Sequence, residues 1–160
     1  MIPSTKTDIR ITQPLVVGIG EWACTGDSRR IVSTYALGSC IGIAVVDSQA
    51  QAGGILHIML PNSEISKVKA ASTPGMFADT GLLYFFRELK ELGVRRNSLK
   101  CMIAGGASVM NTEDIFKVGR RNIEAVKATL SQFRINPLYE DTGGINNRTM
   151  HLNIDKKIVL

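Results

Sequence analysis

The sequence is short of the residues that most enzyme sites draw on. It has two histidines, His57 and His151, and three cysteines, Cys24, Cys40 and Cys101, none in a CxxC or CxxH spacing. That pattern offers no metal-ligand cluster and no disulfide framework. An odd cysteine count with no cleavable leader reads as a reduced, cytoplasmic chain. Aromatic residues amount to only 6%. They do not interleave with the basic pairs Arg29-Arg30, Arg95-Arg96, Arg120-Arg121 and Lys156-Lys157, so a stacking platform for nucleic acid is not expected. The longest apolar stretches, around residues 37–46 and 55–60, fall far short of the roughly 20 residues that cross a bilayer, which excludes helical membrane insertion. No GK[ST] follows Gly105-Gly106-Ala107-Ser108, so this half of a phosphate loop is not read as a nucleotide site.

What is present suits one globular domain. With 160 residues, 44% hydrophobic and 21% charged, the chain has the composition of an ordinary soluble domain. A chain of this size buries roughly 68–70% of its unfolded surface, so it needs no staple. Residues 1–14, polar and bracketed by Pro3 and Pro14, read as a flexible arm, and residues 15–160 as a single domain, with a monomer expected. Short β-branched runs predict strands over 15–22, 31–37, 40–46, 55–60, 99–104, 135–139 and 149–154. Residues 23–30 read as a turn and 63–76 as a surface loop. Two main helices are expected. One is capped by Asp79 or Thr80, with Gly93 just past its end; the other covers 119–133, with Ile123, Val126, Leu130 and Phe133 on one face. Glu113-Asp114 reads as an N-terminal helix turn that favours the dipole. Strands that lead, then mix with helices, argue for an α+β fold: a layered mixed β-sheet with two main helices. The formal charge of +5 favours an acidic protein partner.

With so few candidates, any catalytic imidazole is His57 or His151. Cys40 and His57 flank a predicted hairpin with its turn near residues 48–51, which sets position 40 opposite roughly 57 to 60 and brings thiol and imidazole within cross-strand reach. Cys40 also follows Gly38-Ser39, where backbone N–H groups are not yet committed to a ladder and can face a developing oxyanion. A Cys–His pair makes chemical sense, because an isolated thiol of pKa about 8.5 is only slightly ionised at neutral pH. The same spacing also fits a plain buried cysteine and a core histidine. Cys101 reads as core, Cys24 as part of a turn and His151 as facing a polar rim.

The stretch TYALGSCIGIAVVDSQAQAGGILHIMLP, residues 34–61, resembles the CheD family of chemoreceptor glutamine deamidases. The matching features are Thr34, Leu37-Gly38-Ser39-Cys40, Asp47, Gly53-Gly54, His57 and Leu60-Pro61. The resemblance continues through Gly105-Gly106-Ala107 with Met110, Gly119 and Asn122 in VGRRN, and Asp141-Thr142-Gly143-Gly144 with Arg148-Thr149. It implies Cys40 as nucleophile, His57 as general base and Thr34 as the third residue of the active site. It also implies a fold similar to the catalytic domain of cytotoxic necrotizing factor toxins. Nothing in the sequence points to a cofactor or a metal. The implied partners are the cytoplasmic helices of methyl-accepting chemoreceptors and a CheC-type phosphatase. A binding module that docks on such a phosphatase without catalysis is the alternative the resemblance leaves.

Overall fold

A computed structural model describes residues 13–108, 117–155 and 157–159. Most of the expected N-terminal arm, the expected Glu113-Asp114 turn, Met110 and Lys156 lie outside the described residues. The elements run β1 (Leu15–Val17), β2 (Trp22–Thr25), β3 (Ile31–Leu37), β4 (Ile41–Asp47), β5 (Ala52–Ile58), α1 (Lys67–Ser72), α2 (Ala78–Glu91), β6 (Lys100–Gly105), α3 (Val118–Gln132), β7 (Tyr139–Thr142), β8 (Arg148–Asn153) and β9 (Lys157–Val159). The α+β class is the expected one. The strands, however, form two sheets rather than one, ordered β1-β3-β8-β9 and β2-β5-β4-β6-β7.

The middle strands of the five-stranded sheet explain the layering. β4 and β5 are buried along their whole length, so alternate residues feed two different cores. Ile41, Ile43 and Val45 pack with Leu56, Ile58, Leu82, Phe85, Val126 and Leu130 beneath α2 and α3. Ala44, Val46 and Ile55 face the other way, against Val17, Val32, Leu37, Met150 and Leu152 of the four-stranded sheet. The order of layers is therefore sheet, sheet, helices. The helix face expected for 119–133 is the one that packs: Val126 and Leu130 are fully buried, with Ile123 and Phe133 beside them.

Several local expectations are corrected. Residues 15–22 are not one strand, because the chain reverses over Gly18–Glu21, where Glu21 N–H returns to Gly18 O at 3.1 Å. β1 and β2 consequently join different sheets, and Cys24 and Thr25 lie on β2 rather than in a turn. The 63–76 loop contains α1. Neither Asp79 nor Thr80 caps α2. The helix starts at Ala78 behind Phe77, while the Asp79 carboxylate accepts from Ser63 Oγ at 2.6 Å and Thr80 Oγ1 donates to Pro74 O at 2.6 Å. Both side chains tie the helix start to the preceding segment, a use that local sequence does not encode. β7 begins at Tyr139, where the predicted strand 135–139 ends, because it pairs in parallel with Met102–Gly105 of β6.

The hairpin predicted around residues 48–51 holds, with Ile41 opposite Ile58 and Asp47 opposite Ala52. Asp47 organises its turn and the loop after α2, accepting from Gln49 N–H, Ala50 N–H, Arg95 N–H and Ser98 Oγ. Burial alone would raise its pKa; these hydrogen bonds outweigh burial and hold the carboxyl below its ordinary value. On β5, Gly54 allows α2 and β2 to approach. A Cβ there would overlap Ala23 O and lie 3.0 Å from both Cys24 Sγ and Phe85 Cε2. Gly54→Ala is expected to lose about 1–3 kcal/mol by overpacking, lowering the calorimetric midpoint by about 3–9 °C. An unchanged midpoint would contradict this close approach of helix and sheet.

Candidate functional site

The inter-sheet layer brings Thr34, Cys40 and His57 together. His57 occupies β5 opposite Gly42, on the face that looks toward the four-stranded sheet. Cys40 immediately precedes β4 and packs in the same inter-sheet cluster. Thr34 comes from the other sheet. A register shift between Thr34 and Leu37 marks a β-bulge, with Ala36 in the left-handed region at φ 55°. The extra residue lets both Thr34 and Leu37 face inward, although their spacing would otherwise send them to opposite faces. Thr34 and His57 are 0% and 1% exposed, and Cys40 is 8% exposed.

The hydrogen bonds at Thr34 fix the state of His57. Thr34 Oγ1 lies 2.8 Å from Val17 O and 2.7 Å from His57 Nδ1. A carbonyl can only accept, so the one hydroxyl proton goes to Val17 O, and Oγ1 accepts the Nδ1–H of the ring. Nε2 is then the unprotonated nitrogen. It is buried and has no hydrogen-bond partner among the described residues, so no such bond joins it to Cys40 in this resting geometry. Burial drives the imidazole pKa from 6.5 down to about 4 and raises that of the Cys40 thiol. At neutral pH the site holds a neutral base with a bare lone pair and a protonated thiol.

The loop that carries Cys40 is held by backbone bonds from its neighbours. Gly106 N–H donates to Cys40 O at 2.9 Å and Ala107 N–H to Gly38 O at 2.8 Å. Ser108 N–H and Gly143 N–H in turn tie this segment to the β7–β8 loop. That loop is stapled by Arg148, which donates to Asp141 Oδ1 at 2.9 Å and to Asn146 O at 3.0 Å. Gly105 has φ 116°, and a Cβ there would overlap Cys40 O. The N–H of Gly38 is committed to Ala36 O, whereas those of Ser39 and Cys40 donate to no described residue, so only the latter two remain open to a ligand.

The other candidates fall as the sequence suggested, with one change. Cys101 is core, its pKa pushed up to about 12 by burial and by nearby Glu140. His151 is half-buried on β8 and shares a 2.7 Å hydrogen bond with Ser33 Oγ. Cys24 sits on β2, and burial, with Glu88 nearby, raises its pKa. A cavity of about 490 Å³ lined by Gly106, Ser108, Lys117 and Arg120 adjoins the segment bound to Cys40 O. A larger one of about 560 Å³, beside Phe86, Val94, Arg95 and Phe133, includes none of Thr34, Cys40 and His57. Among the described residues no group of three or more His, Cys, Asp or Glu gathers as a metal site, and no helix is long and apolar enough to cross a membrane. Two features carried no assigned role in the sequence. One is the Val17 carbonyl. The other is Asn122, fully buried on α3, whose Nδ2 donates to Ser39 O at 2.9 Å and Met59 O at 2.8 Å.

Comparison with known proteins gives one consistent result. The family model described as CheD chemotactic sensory transduction matches residues 59–160. The chain is 39% identical over 140 residues to the probable chemoreceptor glutamine deamidase CheD 1 of Syntrophus aciditrophicus, covering 88% of each chain. It is 41% identical to the chemoreceptor glutamine deamidase CheD of Thermotoga maritima, over 88% of this chain and 85% of that one. The probable deamidase of Pyrococcus abyssi is 36% identical over 90% of this chain and 88% of its own.

The neutral, Nδ1-protonated imidazole has a measurable signature. Ring ¹⁵N spectra are expected to show a protonated Nδ1 and bare Nε2 from pH 8 down to pH 5, with a titration midpoint near 4. The unfolded chain takes up this proton near 6.5, so the His57 contribution to stability is complete above 6.5 and is lost as pH falls toward 4. The stability difference between wild type and His57→Gln should therefore shrink over that window. A midpoint near 6.5, or a pH-independent difference, would contradict the buried neutral state.

Proposed function

The chain belongs to the CheD family, and on that premise we propose that it hydrolyses the side-chain carboxamides of selected glutamines on chemoreceptors to glutamates, releasing ammonia. The observation that carries the mechanism is the Thr34–His57 hydrogen bond, which leaves Nε2 bare in the layer that also contains Cys40. The proposed reaction needs neither cofactor nor metal. It is that of a protein-glutamine glutaminase of the Cys–His thiol type.

In the proposed sequence, a glutamine side chain enters beside Cys40 and the thiol–imidazole contact tightens around it. Nε2 takes the thiol proton as Sγ bonds to the carboxamide carbon, and the Ser39 and Cys40 N–H groups receive the oxyanion. A buried imidazolium is a strong acid, so His57 readily passes its proton to the departing ammonia as the C–N bond breaks. Thr34 supports that transient charge by accepting from Nδ1–H, a bond that strengthens when the ring is cationic. A water molecule, deprotonated by the same Nε2, then cleaves the thioester to give glutamate and the thiol.

Partner recognition is read from charge. Receptor modification faces are long helices with many carboxylates and carboxamides, and a protein of formal charge +5 is drawn to them through on-rate. A cytoplasmic location goes with such a substrate. A CheC-type phosphatase is a second proposed partner, whose docking would not depend on the thiol. The layered fold is read as akin to the catalytic domain of cytotoxic necrotizing factors, a likeness resting on the family resemblance.

Peptide mass spectrometry of a receptor cytoplasmic fragment tests the reaction. Wild type is expected to convert specific glutamines to acids, and Cys40→Ala to convert none while still binding the fragment. Conversion by Cys40→Ala would exclude the thiol mechanism. The initial deamidation rate should also decline as salt rises from 0.05 to 0.3 M, over which the screening length shrinks from about 14 to 6 Å. A flat profile would exclude electrostatic capture.

A further inference from the structure

The Asn122 side chain joins two segments that are remote from it in sequence and adjacent in the site. One of its Nδ2 protons goes to Ser39 O and the other to Met59 O. Met59 lies two residues beyond His57, and Ser39 immediately precedes Cys40. The amide cannot be reversed, because that would set Oδ1 against two carbonyl oxygens. In the orientation adopted, Oδ1 is buried without a partner among the described residues. An uncompensated buried acceptor carries a desolvation cost, so local packing alone does not favour asparagine at this position of α3.

Ser39 C=O and Cys40 N–H are two ends of one planar trans peptide and point in opposite directions. A donor that grips the carbonyl therefore sets the direction of the N–H. It also polarises that N–H, by about 10–30% per bond in condensed-phase estimates. We propose that Asn122 is a positioning residue for the oxyanion site: by holding Ser39 O it aims and strengthens the Cys40 N–H, and by holding Met59 O it ties that peptide to the strand that carries His57. The inference rests on the reading of Cys40 as nucleophile. It assigns Asn122 to stabilisation of the tetrahedral intermediate and leaves ionisation of the thiol to His57.

Asn122→Asp, whose buried acid form keeps one donor, and Asn122→Leu, which keeps none, separate these roles. The expected result is a graded loss of kcat in that order, reaching about 10–100-fold, with KM changed by less than about threefold. Alkylation of Cys40 by iodoacetamide, which needs a thiolate and no oxyanion site, should stay near the wild-type rate. Unchanged kcat in both variants would overturn the proposal. So would parallel losses of kcat and alkylation, since Asn122 would then act on the thiol or on the fold. Should the leucine variant not fold, the aspartate variant and a measurement on wild type decide. A receptor peptide with glutamate semialdehyde in place of the target glutamine adds Cys40 Sγ to its aldehyde carbon, giving a hemithioacetal with oxygen in the oxyanion position. Adduct formation is expected to shift the Cys40 amide proton downfield; an adduct that leaves this resonance in place overturns the proposal. If wild type deamidates nothing, or Cys40→Ala remains active, the nucleophile reading itself fails and takes this inference with it.

Discussion

A hydroxyl group has one proton to donate, and at Thr34 that proton is spoken for. Because the Val17 carbonyl takes it, the Thr34 oxygen can act only as an acceptor toward the imidazole, and the ring has one tautomer open to it. The constraint crosses the molecule. Val17 and Thr34 belong to β1 and β3 of one sheet and His57 to β5 of the other, so the tautomer depends on the two sheets being packed in register. Burial of the ring without a charged neighbour then keeps it neutral. The packing of the domain and the chemistry of the site are in this sense one arrangement.

The residues shared with the family pattern divide into those at the site and those that hold it. Asp47 closes the hairpin that aligns β4 with β5. Gly105 and Gly106 let a backbone lie against the Cys40 carbonyl. Asp141 and Arg148 staple the loop that supports this glycine segment. Asp47 and the glycines work through main-chain geometry, the Asp141–Arg148 pair through its side chains.

Much of this was legible in the sequence because the signals are local. The hairpin between positions 41 and 58 follows from β-branched runs around a polar turn, and the α3 face from spacing of Ile123, Val126, Leu130 and Phe133. The division of residues 15–22 was foreshadowed by Gly18 and Gly20, although the apolar residues around them masked the turn. Other features had no local signal. The bulge at Ala36, which lets both Thr34 and Leu37 face inward, shows only in the pairing of β3 with β8. The bonds from Asn122 span 63 and 83 residues, and only the assembled layers bring their ends together. The family resemblance pointed at Asn122 in VGRRN without giving it a task.

The shielding of Cys40 has a consequence for endurance in air. Peroxides oxidise thiolates, and they do so at sites that are accessible and ionised. Burial keeps this sulfur protonated at rest and leaves it only 8% exposed. A buried, protonated sulfur is a slower target for such oxidants than an exposed, ionised one.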